Sequence, residues 1–363
     1  MHDHSPSNYF SATYAEARRK FLDAAADRNA LIQSFELEGH LGAFGETLAM
    51  DVALLGSADA KKLLIVSSGT HGPEGFCGSG CQVAALNDAD LMSRLQKSGV
   101  RLLLIHAVNP YGFSHLRRTN EDNVDLNRNH IDFTKPLPAN DEYAAVHAVA
   151  LPNNWPPTHE QEAARAAYIE RNGERGYRTA LCKGQYVMAD GMFYGGNAPA
   201  WSNRTLRSII RAHACGITDI AWIDVHTGLG PHGHGEKIYP GRADGLPRAR
   251  AWWGTDVFAP FEGNSVSPDV SGPIVSVAYD ECPSAAVTSM GLEFGTMPDM
   301  VVLDRLLADQ WVRNHPEAGD AQRRAIRQDL YSAFYCDQDY WKGSIVGQMR
   351  VVLLQTLQGL GSS

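Results

Sequence analysis

The chain has 363 residues, 44% of them hydrophobic and 20% charged, with a formal net charge of -9. Such a length buries a large core as one big α/β domain or two smaller ones, and the composition excludes a disordered or fibrous chain. The acidic balance, without any Lys/Arg-rich run, gives no electrostatic reason to bind nucleic acid or an anionic membrane.

The N-terminal residues Met1 to Pro6 carry no basic region followed by an apolar stretch, so no secretory signal is expected. No run approaches the roughly 18 apolar residues of a membrane span. A cytoplasmic location is the expectation. His2 and His4 fall in what reads as a disordered tail. Phe10, Tyr14, Ala17 and Phe21 recur at helical spacing and predict an amphipathic helix over 8–28. Residues 31–55, with glycines at 39, 42 and 45, predict a hairpin.

A strand over 62–67 then runs into Gly69-Thr70-His71-Gly72-Pro73-Glu74-Gly75. A helix is predicted over 78–97, and a second buried strand over 101–105 ends at Asn109-Pro110-Tyr111-Gly112. The segment 133–200 is rich in Pro, Ala and Asn and reads as an insertion framing a site, with helical pieces at 158–171 and 202–214. A third strand, 220–223, ends at Asp224-Val225-His226-Thr227-Gly228. A fourth, 286–294, carries Glu293 near its end. Helices are predicted over 299–314, 320–334 and 343–358. One domain over 1–363 is expected, with an insertion and a helical C-terminal region.

Strands alternating with helices predict an α/β sheet covered on both faces. Ligands of such sheets collect outside the carboxyl ends of the strands, and the chemically loaded residues all fall there. His71 and Glu74 stand three apart in a Gly/Pro loop and can turn toward one point. Catalytic zinc takes these donors, three from the protein with a fourth position open. An HxxE match alone is weak, so a third ligand must come from elsewhere, and His226 at another strand end supplies it.

Asn127 and Arg128 offer a planar fork to a carboxylate. Asp125 is placed to accept a hydrogen bond from a ligand imidazole. Arg117 and Arg118, just upstream, are either solvated loop charges or a means to polarise a carbonyl. Glu293, inside an apolar strand, needs a task or a partner; beside an activated water it serves as general base and then acid. The alternative for Glu293 is a structural ion pair with an arginine.

His71-x-x-Glu74, Asp125-x-Asn127-Arg128, His226 and Glu293 together resemble the signature of the zinc carboxypeptidase superfamily, which includes aspartoacylase and succinylglutamate desuccinylase. The stretches Arg118 to Arg128 and Asp224 to Pro231 are most similar to a bacterial branch carried as a domain of unknown function. The resemblance spans roughly 40–330. It implies a three-layer α/β/α sandwich with a mixed, mostly parallel sheet. It also implies one zinc ion held by His71, Glu74 and His226, with Asp125 and Asp224 behind the ligands. By it Asn127 and Arg128 bind the substrate carboxylate, Arg117 or Arg118 polarises the carbonyl, and Glu293 is the base. Carboxypeptidases also place a mobile tyrosine ahead of the base; by spacing that position falls near Ser271, with Tyr279 close by. The acylase branch lacks such a tyrosine.

The expected function is therefore a zinc-dependent hydrolase, a deacylase that cleaves the amide of a small N-acyl amino acid next to its carboxylate. A metallocarboxypeptidase acting on peptides is the alternative. From a different class comes a non-catalytic binding protein on the same scaffold, which predicts a lost ligand or base. The expected partner is a small molecule or peptide bearing a carboxylate, and the sequence is compatible with a homo-oligomer. His232-Gly233-His234-Gly235-Glu236 reads as a Gly-rich loop bordering the pocket, and His106 and His115 as structural. No GxSxG elbow is present. The six cysteines at 77, 81, 182, 215, 282 and 336 lack zinc-site spacing and read as reduced thiols, with Cys77 the thiol nearest the metal loop.

Overall fold

The computed structural model describes residues 5–362; the tail histidines His2 and His4 lie outside it. An eight-stranded mixed sheet runs in the order β1-β2-β4-β3-β5-β8-β6-β7. The strands are β1 (Leu31–Leu41), β2 (Thr47–Leu55), β3 (Lys62–Ser68), β4 (Val100–His106), β5 (Asp219–His232), β6 (Gly235–Ile238), β7 (Val257–Phe258) and β8 (Ala286–Gly295). β4, β3, β5 and β8 pair in parallel and form the heart of the sheet. β1–β2, β2–β4 and β6–β8 are antiparallel flanks, so the expected hairpin forms as β1–β2.

The parallel strands are short apolar runs because both their faces are covered. Side chains alternate across the sheet. Leu64, Val66, Leu102, Leu104, Ala221 and Ile223 enter one core, which is closed by α1 (Tyr14–Asp27), α2 (Gly75–Asn87), α3 (Ala89–Ser98), α8 (Leu246–Trp253) and α12 (Asp339–Ser362). Leu63, Ile65, Leu103, Ile105, Ile220 and Trp222 enter the opposite core, beneath α7 (Trp201–His213) and α9 (Ser276–Glu281). This is a three-layer α/β/α sandwich. A third apolar cluster joins α5 (Tyr143–Ala150), α6 (His159–Cys182), α10 (Asp299–Asn314) and α11 (Asp320–Phe334). The short α4 (Pro110–His115) follows β4.

Three elements depart from the sequence expectation. The helix over 78–97 is two helices, because the Asp88 side chain accepts the Leu91 amide at 2.9 Å and caps α3. The helical piece over 202–214 is α7, whose Leu206, Ile209 and Ile210 face the sheet core; it belongs to the sandwich, not to an insertion. The stretch 232–236 is only partly loop: His232 ends β5, and Gly235 and Glu236 begin β6. Among the described residues no helix is long and apolar enough to cross a membrane, and the six cysteines are free.

Candidate metal centre

The site lies where β3, β5 and β8 end. His226 and Glu293 are directly paired neighbours on the parallel strands β5 and β8, so their side chains project from the same face. Asp224, two residues back on β5, shares that face. The loop after β3 is tightened into a single 3-10 turn, Gly72–Glu74, with Pro73 near its start. That turn brings His71 and Glu74 to the same point. Gly72 has no room for a side chain, since a Cβ there would stand 2.0 Å from the Gly112 carbonyl carbon.

Glu74 lies between the two imidazoles. Its Oε1 is 2.9 Å from His71 Nδ1, and its Oε2 is 2.8 Å from His226 Nδ1. Each imidazole meets a second carboxylate on its far nitrogen: Asp125 at 3.1 Å for His71 and Asp224 at 2.6 Å for His226. A neutral imidazole carries one proton and cannot donate at both nitrogens. With the Nε2 protons held by the aspartates, a bound cation would displace any proton from Nδ1, so that two Nδ1 lone pairs would converge with a carboxylate. One donor atom from each of His71, Glu74 and His226 lies within 4.8 Å of the others. That is a donor set for a cation, with the histidines oriented from behind, and zinc fits it.

The charge balance follows from burial. Burial opposes ionisation of Glu74, but His71 and His226 outweigh it and hold the carboxyl well below its ordinary range. Burial likewise opposes charge on His226, while Asp224 and Glu74 hold it well above its usual value. At Glu293 the balance falls the other way, although His226 and Arg118 pull it down. Burial, reinforced by the Glu74 carboxylate, pushes it up to about 8, although Oε1 accepts the Leu229 amide at 3.0 Å. A dication among the three donors would reverse that push by offsetting Glu74.

The two arginines at 117 and 118 part company. Arg118 lines the cleft, donates Nε to Asp125 Oδ2 at 3.0 Å and lies 3.6 Å from Glu74. Arg117 is buried and turns to Asp309 at 3.4 Å, and it is not part of the cleft lining. The structure therefore brings Arg118, and not Arg117, to the expected metal ligands. Leu116, in the left-handed region at φ 54, sets the chain direction that separates them. Arg128 and Asn127 both line the cleft, with part of their capacity used internally. Arg128 donates to the carbonyls of Asn127 and Cys182 at 2.9 and 2.6 Å, and Asn127 Oδ1 accepts the Ile274 amide at 2.9 Å.

Phe193 was not among the residues singled out in the sequence. The guanidinium groups of Arg118 and Arg128 lie over its ring, at 5.0 and 5.5 Å from the centroid, a cation–π arrangement. Phe193 reaches there with φ 53, a conformation that an aromatic residue rarely adopts. Its loop is fixed by the Gln185 side chain and by Asn123, which donates to the carbonyls of Ala189 and Gly191. A strained backbone in a pinned loop was the structural signal; no sequence pattern marks it.

The remaining expectations are placed away from the donors. Neither Ser271 nor Tyr279 lines the cleft, and Tyr279 lies beneath the Arg242 guanidinium; among the described residues the cleft lining holds no tyrosine. Cys77 is fully buried in α2, and burial pushes its thiol well up, which removes it as a nucleophile. Glu236 accepts the Ser265 hydroxyl and the Val266 amide, anchoring the loop across the cleft. His106 stacks on Phe21 and contacts Ser79, a structural role.

Fold and site define an α/β/α protein with a buried His-Glu-His donor set at the carboxyl ends of its central strands. The chain belongs to the family described as Protein of unknown function (DUF2817), which matches residues 10–348, the kind of branch expected from the motifs. Solved structures of similar chain path include carboxypeptidase A from Helicoverpa armigera, 15% identical, covering 94% of this chain and 74% of that one, with a TM-score of 0.47. A metallo-carboxypeptidase from Burkholderia cenocepacia is 14% identical over 96% of this chain and 70% of its own, at 0.44. One from Pseudomonas aeruginosa is 15% identical over 90% and 69%, at 0.41. No curated protein matches the sequence.

Proposed function

We propose that this protein is a zinc-dependent hydrolase that cleaves an amide bond next to a substrate carboxylate, with N-acyl amino acids as its substrates. The observation that carries the reading is the donor arithmetic: two imidazoles, each pinned by an aspartate, turn their other nitrogens toward one buried carboxylate. Zinc held by His71, Glu74 and His226 would supply a Lewis acid and lower the pKa of a water at its open position.

The chain's own residues do the rest. Glu293 takes a proton from the attacking water and returns it to the departing amine. Arg118 stabilises charge developing on the carbonyl oxygen. Arg128, with Asn127 beside it, holds the substrate carboxylate. Asp125 serves both halves, orienting His71 and Arg118 at once. Among the described residues the cleft lining has no tyrosine to close over a peptide, in keeping with an acylase.

The test is metal analysis of the purified protein joined to a screen with and without chelator. The substrates are N-acyl amino acids, and peptides with free and amidated C-termini. The expected result is bound zinc and chelator-sensitive cleavage of N-acyl amino acids. Preferred cleavage of peptides with free C-termini would favour the carboxypeptidase. Undiminished activity in metal-free protein would overturn the proposal.

A further inference from the structure

Two guanidinium groups stand together in the cleft wall and share few anions. Arg118 and Arg128 both reach Asp125, at 3.0 and 3.9 Å. That carboxylate also meets His71 at 3.1 Å. Glu74, 3.6 Å from Arg118, is engaged by two imidazoles. Arg128 donates to the carbonyls of Asn127 and Cys182, and among the described residues its buried Nε has no hydrogen-bond partner. Burial, which Asp125 opposes and Arg118 reinforces, pulls Arg128 down from the ordinary arginine pKa. Both guanidiniums lie over the ring of Phe193, 5.0 and 5.5 Å from its centroid. The negative face of a ring attracts a cation without neutralising it. A second carboxylate in that place would pair with the N–H groups and compete with a substrate for them. An aliphatic side chain would fill the space and leave the two charges to repel each other.

Packing alone does not explain Phe193. It is buried in the apolar cluster that joins α5, α6, α10 and α11, but a core aromatic has no need of φ 53, a left-handed conformation that costs free energy. The surrounding structure imposes it. The carbonyls of Met192, Phe193 and Tyr194 accept in turn from the Tyr143 hydroxyl at 2.8 Å, the Gln185 amide at 3.1 Å and the Asp125 amide at 2.8 Å. The last of these bonds ties the loop that carries the ring to the residue whose carboxylate the two arginines share. Ring, arginines and shared anion are thus held as one unit.

We infer that Phe193 is a positioning residue, whose ring face holds the guanidiniums of Arg118 and Arg128 side by side with N–H groups left free for the carboxylate of the substrate. The substrate carboxylate in this statement rests on the function proposed above; the effect of the ring on anion binding does not need turnover.

The experiment replaces Phe193 by phenylalanine bearing one, two or three ring fluorines, in Glu293→Gln protein saturated with zinc. Fluorine drains charge from the ring face and changes its size little. Calorimetry compares binding of N-acetylglycine with that of N-acetylglycinamide, which lacks the carboxylate. Preference for the acid over the amide should fall stepwise along the series, by about 3–30-fold at three fluorines, while zinc content and the thermal midpoint stay unchanged. If the fluorinated chains do not fold, Phe193→Leu should lose the preference and Phe193→Tyr, which keeps the ring face, should retain it. A preference indifferent to the ring, or a loss that touches acid and amide alike, overturns the inference and leaves the hydrolase standing. Equal or absent binding of acid and amide before any change at Phe193 removes the carboxylate site, and the inference with it. A graded loss in binding with no amide hydrolysis by the wild type keeps the inference and removes the hydrolase.

Discussion

At the scale of single residues, Glu293 is where removal of one proton-accepting oxygen should separate chemistry from metal binding. Glutamine keeps the size of the side chain and can still accept the Leu229 amide. Glu293→Gln should therefore retain zinc at wild-type stoichiometry while hydrolysis falls by about 10²–10⁴-fold, read by metal analysis and steady-state rates on one preparation. Full activity in this variant would remove Glu293 as the base. Asp224→Asn addresses the layer behind the ligands. Its carboxylate stands 2.6 Å from His226 Nε2 and also accepts from Ser67 and Thr70, so zinc affinity should drop by about 10–100-fold in a competition with a chromogenic chelator. His71 and Glu74 were legible in the sequence because they sit in the Gly/Pro loop after β3; the third strand, expected over 220–223, instead continues through His226 to His232 because β8 pairs with it past that point. The choice between Arg117 and Arg118 was not legible, because it turns on one left-handed residue, Leu116, and on a buried partner 192 positions away, Asp309. Arg117→Gln strands that aspartate and should cost about 3 kcal/mol of stability, measured by urea unfolding. Arg118→Gln should act chiefly on turnover.

At the scale of elements, the reading succeeded where apolar runs are long enough to be periodic and failed where tertiary context decides. β3, β4, β5 and β8 announce themselves as buried strands. β6 and β7 have four and two residues, too few for a period; β6 exists because the edge of β8 accepts it, and β7 because β6 in turn accepts it. α5 hides in a stretch rich in Pro, Ala and Asn, and its Tyr143 and Val146 are buried only once α6 and the Met192–Phe193 strand of loop are present. The turn carrying His71 and Glu74 depends on close approach to α4. A Cβ at Gly72 would lie 2.1 Å from the Gly112 oxygen and 2.3 Å from the Arg117 oxygen. These are backbone atoms and cannot swing aside. Gly72→Ala should cost at least about 1–3 kcal/mol and weaken zinc binding, because relief requires the loop carrying His71 and Glu74 to move. Gly347→Ala is the matched control: it lies inside α12 with no atom near its would-be Cβ. It should stabilise the protein by about 0.5–1 kcal/mol. If thermal unfolding gave the two variants the same midpoint, packing of the turn against α4 would not be what holds the site.

At the scale of the whole molecule, the two cores on either side of the sheet carry a cost that pH should expose. His106, at the end of β4, is fully buried, and burial pushes it down to about 4. His130 is similarly buried and is pushed down to about 3. In the unfolded chain both would titrate near ~6.5. Above that pH each imidazole is neutral in both states and adds no pH dependence. Below it the unfolded chain binds protons that the folded chain refuses, so stability present at neutral pH is lost as pH falls from about 6.5 toward the folded values of about 4 and about 3. The loss approaches ~1.4 kcal/mol per pH unit for each histidine in the middle of that window. Depressed carboxylates such as Glu74 and Asp125 add their own acid lability, and the raised His226 contributes with the opposite sign, its stabilisation being present at low pH and lost as pH rises. A single curve would mix them, and a difference between two curves does not. His106→Asn removes one titrating group from the stack on Phe21, so its stability deficit against the wild type should hold above about pH 6.5 and shrink from there toward pH 4, as urea midpoints at each pH would record. A deficit constant across that range would mean that the folded protein admits the proton on His106 as readily as water does, and that this part of the core is wetter than its packing implies.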